Sequence, residues 1–512
     1  MTSPPSSQNK GRISVLLSVC LAGIICPMSF SGGAVATPAI GRELGGDPIA
    51  LNWITNAFML TFGGFQMIAG ALVDEYGRKR VFLFGLALFA ASALALSFSF
   101  SVYLLDLLRA IQGVAAAATL AGGIAALAQE FDGHGRTRAF SLLGTTFGVG
   151  LAFGPLFAGY MTETFGWSSV FLSTAVVSLL ALMFGAPRMR ESRDPDAAGL
   201  DVGGTITFTG ALTLFTFALI QAPANGWSSA FVLTLLGGAA GLLVAFVAIE
   251  TRVARPMLDL SLFRYPHFVG VQVLPIATCY CYIVLLVLLP LRFIGIEGCS
   301  EIHAGFLLLA LSVPMLVVPS LAATMTRWIS PGIISGVGLL IAALGLFFLG
   351  RANINDGDTT LGPMLLIGLG ASMPWGLMDG LSISVVPKER AGMAAGIFNT
   401  TRVAGEGVAL AIVTAVLAAL LQSSLVNSLA NMEAVSTTLI MNVAERLATG
   451  NLEQAKNLLP EVDRSFLAQS YADAFRVLTY ILIAITIISS AIVFVILGRS
   501  VGSPATKMQS EI

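Results

Sequence analysis

Apolar residues run along this chain in long blocks separated by short polar breaks. A helix of about 20 apolar residues crosses roughly 30 Å of hydrocarbon. Blocks of that size fall near 13–38, 50–73, 81–100, 103–130, 139–161, 167–187, 203–222 and 230–250. Six more follow near 268–294, 303–325, 331–350, 361–386, 391–423 and 474–498. The pattern predicts an all-α integral membrane protein with about fourteen transmembrane helices. A count of twelve or thirteen would need two neighbouring blocks to join as one kinked helix. Two polar stretches are longer than the rest. Residues 188–202, RMRESRDPDAAGLDV, read as a linker. Residues 424–473 carry apolar positions at helical spacing and predict short amphipathic helices lying on the membrane surface as a cap.

Charge placement tests the count independently. Arg78, Lys79 and Arg80; Arg136 and Arg138; Arg188, Arg190 and Arg193; Arg252, Arg255 and Arg264; Arg327; and Lys388 and Arg390 fall in alternate loops. The short loops between carry only Arg42 and Arg351. Positive residues mark the cytoplasmic side, so this alternation predicts an even number of helices with both chain ends inside. An error of one helix would invert the pattern beyond the mistake.

Composition then narrows the function. Of 512 residues, 56% are hydrophobic and 11% are charged, against about 25% charged in a soluble domain. Lipid must be most of the solvent. A formal net charge of −1 gives no reason to expect nucleic acid as a partner. Of the five cysteines, Cys20, Cys26, Cys279 and Cys281 lie in apolar blocks and read as packing residues; the fifth is Cys299. His134, His267 and His303 form no metal spacing, and no phosphate-binding loop or nucleophile motif is present. The expectation is a carrier without metal or cofactor, not an enzyme. The start of the chain, MTSPPSSQNKGR, precedes an apolar block without an A-x-A site and reads as a short tail before a retained helix.

Four segments carry more specific information. GALVDEYGRKR (70–80) sets Gly70, Asp74 and Gly77 beside the basic cluster Arg78, Lys79 and Arg80. Gly70 would admit a neighbouring backbone, and Gly77 a tight turn. AATMTRWISPG, after the tenth block, is a weak echo in the second half, as in carriers built from two related bundles. The fourth block carries Arg109-Ala110-Ile111-Gln112-Gly113. An arginine inside a membrane helix costs about 2.5–3.5 kcal/mol on insertion scales and needs a partner, for which Asp106 at i−3 is placed. The fifth block contains Gly148, Gly150, Gly154, Pro155, Ala158 and Gly159, small residues for close helix contact around a bend.

These segments resemble the signatures of the major facilitator superfamily: its G-x-L-a-D-r-x-G-r-k-r loop, its R-x-x-q-G motif and the g-x-x-x-G-P-x-x-G-G motif of its exporters. Fourteen helices, with RPMLDLSLFR (255–264) and GIFNTTR (396–402), are similar to its drug:proton antiporter branch. The resemblance implies two six-helix bundles, 13–187 and 268–498, with two extra helices and linkers between them in 188–267. Residues 1–12 and 499–512 would be cytoplasmic tails and 424–473 the long outer loop. It implies a monomer in a bacterial inner membrane that exports amphiphilic or cationic compounds, such as quaternary ammonium compounds, dyes or quinolones, in exchange for protons by alternating access. It also implies that Asp74 meets the start of the thirteenth helix near Ala391 and Gly392 as an inner latch. Runner-up readings are a symporter or a metabolite exporter of the same superfamily; a non-transporting sensor or a membrane enzyme is disfavoured.

One departure bears on mechanism. The branch has an acid in the first helix, in a pattern like L-D-x-T, where this chain has Met28-Ser29-Phe30-Ser31. Serine cannot carry the proton, so other embedded acids become candidates. Asp379, between Pro374, Gly376 and Gly380, reads as an isolated carboxylate and ranks first; Asp106 ranks second. Glu406, four residues after Arg402, reads first as a structural pair with it. Trp53, Phe58, Phe62, Trp375 and Phe398 are candidates for stacking on a flat or cationic solute.

Overall fold

The computed structural model describes residues 6–131, 133–185, 187–192, 201–253, 258, 260–352, 357–386, 391–429 and 436–498. Every long element is a helix. The first bundle is α1 (Ser6–Glu43), α2 (Pro48–Tyr76), α3 (Arg78–Ser97), α4 (Val102–Glu130), α5 (Gly133–Phe165) and α6 (Ser168–Gly185). Two further helices follow, α7 (Val202–Asn225) and α8 (Ala230–Glu250). The second bundle holds α9 (Pro266–Ile296), α10 (Glu301–Met325), α11 (Pro331–Leu349), α12 (Gly357–Ser384) and α13 (Ala391–Leu429). Next come two short helices, α14 (Thr437–Ala448) and α15 (Leu452–Leu458), before the last long one, α16 (Arg464–Leu497). Among the described residues, 13 helices qualify as membrane spans by length and hydropathy. The 29-residue α2 stands between the first and second of these and completes fourteen.

Packing follows the small residues. In the first bundle α1 lies along α5 and α6, α2 along α4, and α3 against α4 and α6. Gly85, Gly113 and Gly122 let backbones meet there: a Cβ on Gly122 would stand 2.8 Å from Phe82 N. In the second bundle α11 packs on α12 and α16, and α10 on α12. Helices α7 and α8 pair with each other, and α7 covers the seam between α2 and α13. The outer surface is apolar, with Phe84, Met183, Val244 and Val495 well exposed, as lipid contact requires.

The start of α1 and the end of α16 share one face of the molecule, here called proximal; the opposite face is distal. The connection after α2 is shorter than the loop expected from sequence. It is the single residue Gly77, at φ 108° and ψ 144°. Arg78, Lys79 and Arg80 are therefore the first turn of α3, where the helix dipole disfavours cations. Glu191 offsets this, accepting from the Lys79 amide at 3.3 Å and lying 3.5 Å from Arg80 Nε.

Helix α9 is not uniform. Pro275 and Pro290 each remove a backbone donor, and the helix widens into π turns at Cys279–Ile283 and Leu291–Ile296. The polar stretch after α13 also departs from expectation. Its helix α14 buries Ile440, Val443, Ala444 and Leu447 against protein, so its apolar face meets the bundles instead of lying on the membrane. Among neighbouring atoms, Gln454 donates to Gly41 O at 3.4 Å in the first bundle. On the other side, a Cβ on Gly295 of α9 would stand 2.7 Å from the Gly450 carbonyl carbon. The cap therefore straddles the distal seam.

Candidate functional site

The two bundles touch distally and part proximally. On the distal half of α5, Gly159 faces the Glu301 backbone, and a Cβ would stand 2.8 Å from Glu301 C. Across the seam a Cβ on Gly305 would stand 2.6 Å from Leu156 Cα and 3.1 Å from Pro155 O. Arg42 pairs with Glu301, and Glu163 of α5 accepts from Ile302 N at 2.9 Å, capping α10 from the other bundle. Nearer the middle, a Cβ on Gly63 of α2 would lie 2.6 Å from Ala404 of α13. Among the described residues, the proximal glycines Gly70, Gly144, Gly380 and Gly396 have nothing within 4 Å of an added Cβ. Gly70 thus has no close backbone neighbour among the described residues, contrary to the expectation from sequence. The motif of α5 divides its work. Gly150 and Gly154 press on α1, at Ile24 O (2.6 Å from an added Cβ) and Met28 Cα (3.4 Å), while Gly159 closes the seam. Pro155 lies inside α5 and presents its carbonyl to Gly305.

Where contact gives way to opening, a cavity of about 20 Å³ lies between the bundles, room for one water-sized group. Phe30, Phe58, Phe62, Phe147 and Trp375 supply ring faces, and Glu406 supplies the carboxylate among its lining residues. Glu406 is 9% exposed. Phe58, Phe62 and Trp375 were legible as aromatic candidates; Phe30 and Phe147 were not singled out, although Phe147 directly precedes the α5 glycine motif. Trp53 lies elsewhere, 5.7 Å from Phe217 of α7 between ring centroids. Phe398 is fully buried, with the Arg402 guanidinium 5.8 Å from its ring.

The ion pairs differ from those read in the sequence. Arg402 does not take Glu406 as its partner. Its Nη1 donates to Asp379 Oδ1 at 3.1 Å and its Nη2 to Asn399 Oδ1 at 2.7 Å. A helical side chain leans toward its own N-terminus, which carries Arg402 back to Asn399 and away from Glu406. Asp379 is consequently neither isolated nor buried: its side chain is 63% exposed and paired. It stands on the proximal part of α12, beside the open glycine Gly380.

Arg109 also finds other partners than the one its spacing suggested. Its Nε donates to Ile54 O at 2.8 Å, and its Nη1 donates to Ser29 Oγ at 2.9 Å and Gln112 Oε1 at 2.6 Å. Its guanidinium lies 4.4 Å from the Phe58 ring centroid. Asp106, one turn back, makes no bond to it, and Asp106 Oδ1 is buried without a partner. The arginine instead reaches across to α1 and α2, whose acceptors are invisible from α4 alone. Ser29 thus occupies the place of the missing acid and binds Arg109 directly. The side chain of Asp74 and those of residues 391–393 lie outside the described residues, and with them the expected contact between Asp74 and α13.

Known proteins place this architecture. The chain is 28% identical to the multidrug resistance protein Stp of Mycobacterium tuberculosis over 75% of its own length and 72% of that protein. It is 30% identical to the cephamycin export protein CmcT of Amycolatopsis lactamdurans, covering 81% and 88% of the two chains. Among solved structures, a bacterial homologue of the human lysosomal transporter Spinster, inward-facing and unoccupied, superposes with a TM-score of 0.63. That match covers 96% of this chain and 97% of the other at 14% identity, a likeness of fold. The family model of the Major Facilitator Superfamily matches residues 19–410. With two helical bundles, the glycine-bearing α2–α3 turn and the α5 motif in place, this multi-pass membrane protein belongs to the major facilitator superfamily.

Proposed function

We propose that the protein is a proton-coupled antiporter that exports amphiphilic, often cationic compounds by alternating access. The observation that carries this reading is Glu406, a buried carboxylate facing an aromatic cavity between bundles that are shut distally and open proximally. A carboxylate in such a place can hold a proton or attract a cation, but not both well, since each neutralises the same charge. Ring faces around it favour flat and cationic solutes. Names of relatives support export of drugs and antibiotics, among them tetracenomycin C and cephamycin.

In this reading, the basic residues at the proximal ends place that face, and both chain ends, in the cytoplasm of a bacterial inner membrane. Residues 13–187 and 268–498 rock as two bodies, 188–267 joins them, and the protein works as a monomer. Asp379 with Arg402 guards the proximal opening, and Asp74 with the α3 turn acts as a latch when that side closes. Phe58, Phe62 and Trp375 contact the solute once movement of the bundles has widened the water-sized cavity between them, and Glu406 exchanges the solute for a proton.

The test is proton release from acid-loaded everted vesicles on adding dyes, quaternary ammonium compounds and quinolones. Wild type is expected to alkalinise the vesicle interior on addition of substrate, and Glu406→Gln to lose the response. Asp379→Asn should keep it at reduced rate. A full response from Glu406→Gln would remove that residue from the cycle, and wild type silent to every compound would remove drug:proton antiport.

A further inference from the structure

The extra helices α7 and α8 leave a groove of about 650 Å³ against α2. That lies within the roughly 300–1,000 Å³ of small-molecule sites. Phe65 and Ile68 of α2, Ile206 of α7 and Leu242 of α8 form its walls, and Gly210 lines it with bare backbone. The polar groups inside ask little of an occupant. Thr209 donates to Gly64 O at 3.3 Å, and Thr213 donates to Thr209 O at 2.7 Å. An occupant without hydrogen-bonding groups therefore leaves neither hydroxyl proton unpaired.

Depth and charge identify the occupant. Along α7 the lining runs from Thr205 to Leu214, about 14 Å at 1.5 Å per residue. It starts three residues from the proximal end of α7 at Val202. One leaflet contributes about half of a 30 Å hydrocarbon core, so the groove spans the proximal leaflet and stops near the midplane. At its proximal rim the ends of α7 and α8 adjoin: a Cβ on Gly203 would stand 3.4 Å from Ile249 Cγ2. Arg252, whose amide donates to Ile249 O at 2.9 Å, is exposed there and makes no ion pair among the described residues. The acids at this corner are engaged, Asp201 accepting from Gly204 N at 2.9 Å and Glu250 from Leu258 N at 3.2 Å. A transported solute is held apart from the groove by α2, whose Phe62 lines the cavity between the bundles instead.

We propose that this groove is a phospholipid site, holding one acyl chain of an anionic lipid of the proximal leaflet with its phosphate at Arg252. The chain gains nothing from leaving water, because it is already in lipid. Its residence rests on close packing in a concave wall and on the attraction of a basic residue for an anionic headgroup. Helix α7 covers the seam between α2 and α13, and a Cβ on Gly64 of α2 would stand 3.4 Å from Thr209 Cγ2. The lipid therefore braces the helix that bridges the bundles. The site stands whether or not solute is exchanged for protons, and its test has no transport step.

The experiment is native mass spectrometry of the purified full-length protein, extracted in mild detergent from vesicles of equimolar phosphatidylglycerol and phosphatidylcholine. Wild type is expected to carry one phospholipid through detergent. Phosphatidylglycerol should be favoured about fivefold, the weight of one basic residue at an anionic surface. Thr213 lines the groove and is exposed, so Thr213→Trp fills the space without disturbing the packed interior and should lose the adduct. Arg252→Gln should keep the adduct but take the two lipids equally. Val495→Trp, at an exposed position of α16, is the control and should match wild type. An adduct undiminished in Thr213→Trp, or equally diminished in Val495→Trp, overturns the acyl-chain site. A phosphatidylglycerol preference that survives Arg252→Gln overturns the headgroup contact. Wild type free of phospholipid, or a dimer that Thr213→Trp splits, overturns the proposal as a whole.

Discussion

The distal seam can be pried open with one methyl group. Gly305 of α10 meets the α5 backbone, and an alanine Cβ there would stand 2.6 Å from Leu156 Cα and 3.2 Å from Leu156 N. Ordinary contact begins at 3.4 Å, so the helices must separate by about 0.8 Å, a strain of the kind that costs ~1–3 kcal/mol in a packed interior. That strain exists only while the bundles touch distally. It disappears when they part, so the substitution destabilises one conformation and not the other. A difference of 1–3 kcal/mol moves a two-state equilibrium about 5- to 150-fold. Spin labels at Phe100, in the distal turn between α3 and α4, and at Glu461, after α15, report the opening by double electron–electron resonance. Gly305→Ala should add a longer-distance population absent from wild type. Gly150→Ala is the control. Its Cβ meets Ile24 O and Pro27 Cγ at 2.6 Å within one bundle, so it should lower the unfolding midpoint without moving the distance distribution. An unchanged distribution in Gly305→Ala, or an equal shift in Gly150→Ala, would refute the assignment of the closed state to this seam.

Gly77→Ala should lower stability by ~1–3 kcal/mol, the usual cost of a sparsely populated backbone conformation, since Gly77 holds φ at 108°; chemical denaturation in detergent measures the loss, and a neutral result would mean that the α2–α3 turn adapts. Glu445 of the cap titrates near 7, raised by burial and then by Asp47 against the pull of Arg446. A group whose folded value lies above its ordinary 4.5 contributes stability at low pH that is lost as pH climbs through 7. Glu445→Gln should therefore match wild type at pH 5 and unfold at a higher temperature at pH 8; parallel pH profiles would rule out this role.

The sequence carried the membrane helices well because each apolar block is bounded by polar residues and lipid tolerates few exceptions. Gly77 was readable as a tight turn, though not that the whole connection would be this one residue. Gly154 and Gly159 were readable as close contacts, but not which neighbour each would touch, since α1 and α10 are remote in sequence. Charge pairs were the weakest ground. Spacing brought Asp106 to Arg109 and Glu406 to Arg402, yet each arginine reaches acceptors on other helices, at Ile54 and Ser29 in one case and Asp379 in the other. Helical proximity says which groups lie on one face; rotamer and burial decide which bond forms. The cap was misread for a related reason. Amphipathic spacing shows that α14 buries a face, and a membrane surface and a protein seam look alike to it.

The distal closure is built largely of main chain against main chain. Gly159 meets Glu301, Gly305 meets Leu156, and Gly295 meets Gly450, with the buried helix α14 laid over the joint. Backbone pressed this closely on backbone leaves no gap through which a chain of waters could run. A joint without room for water resists ion leakage as well as motion. A machine that spends an ion gradient loses it fastest through leaks, and a glycine seam confines the conducting route to the few side chains that open with the cavity.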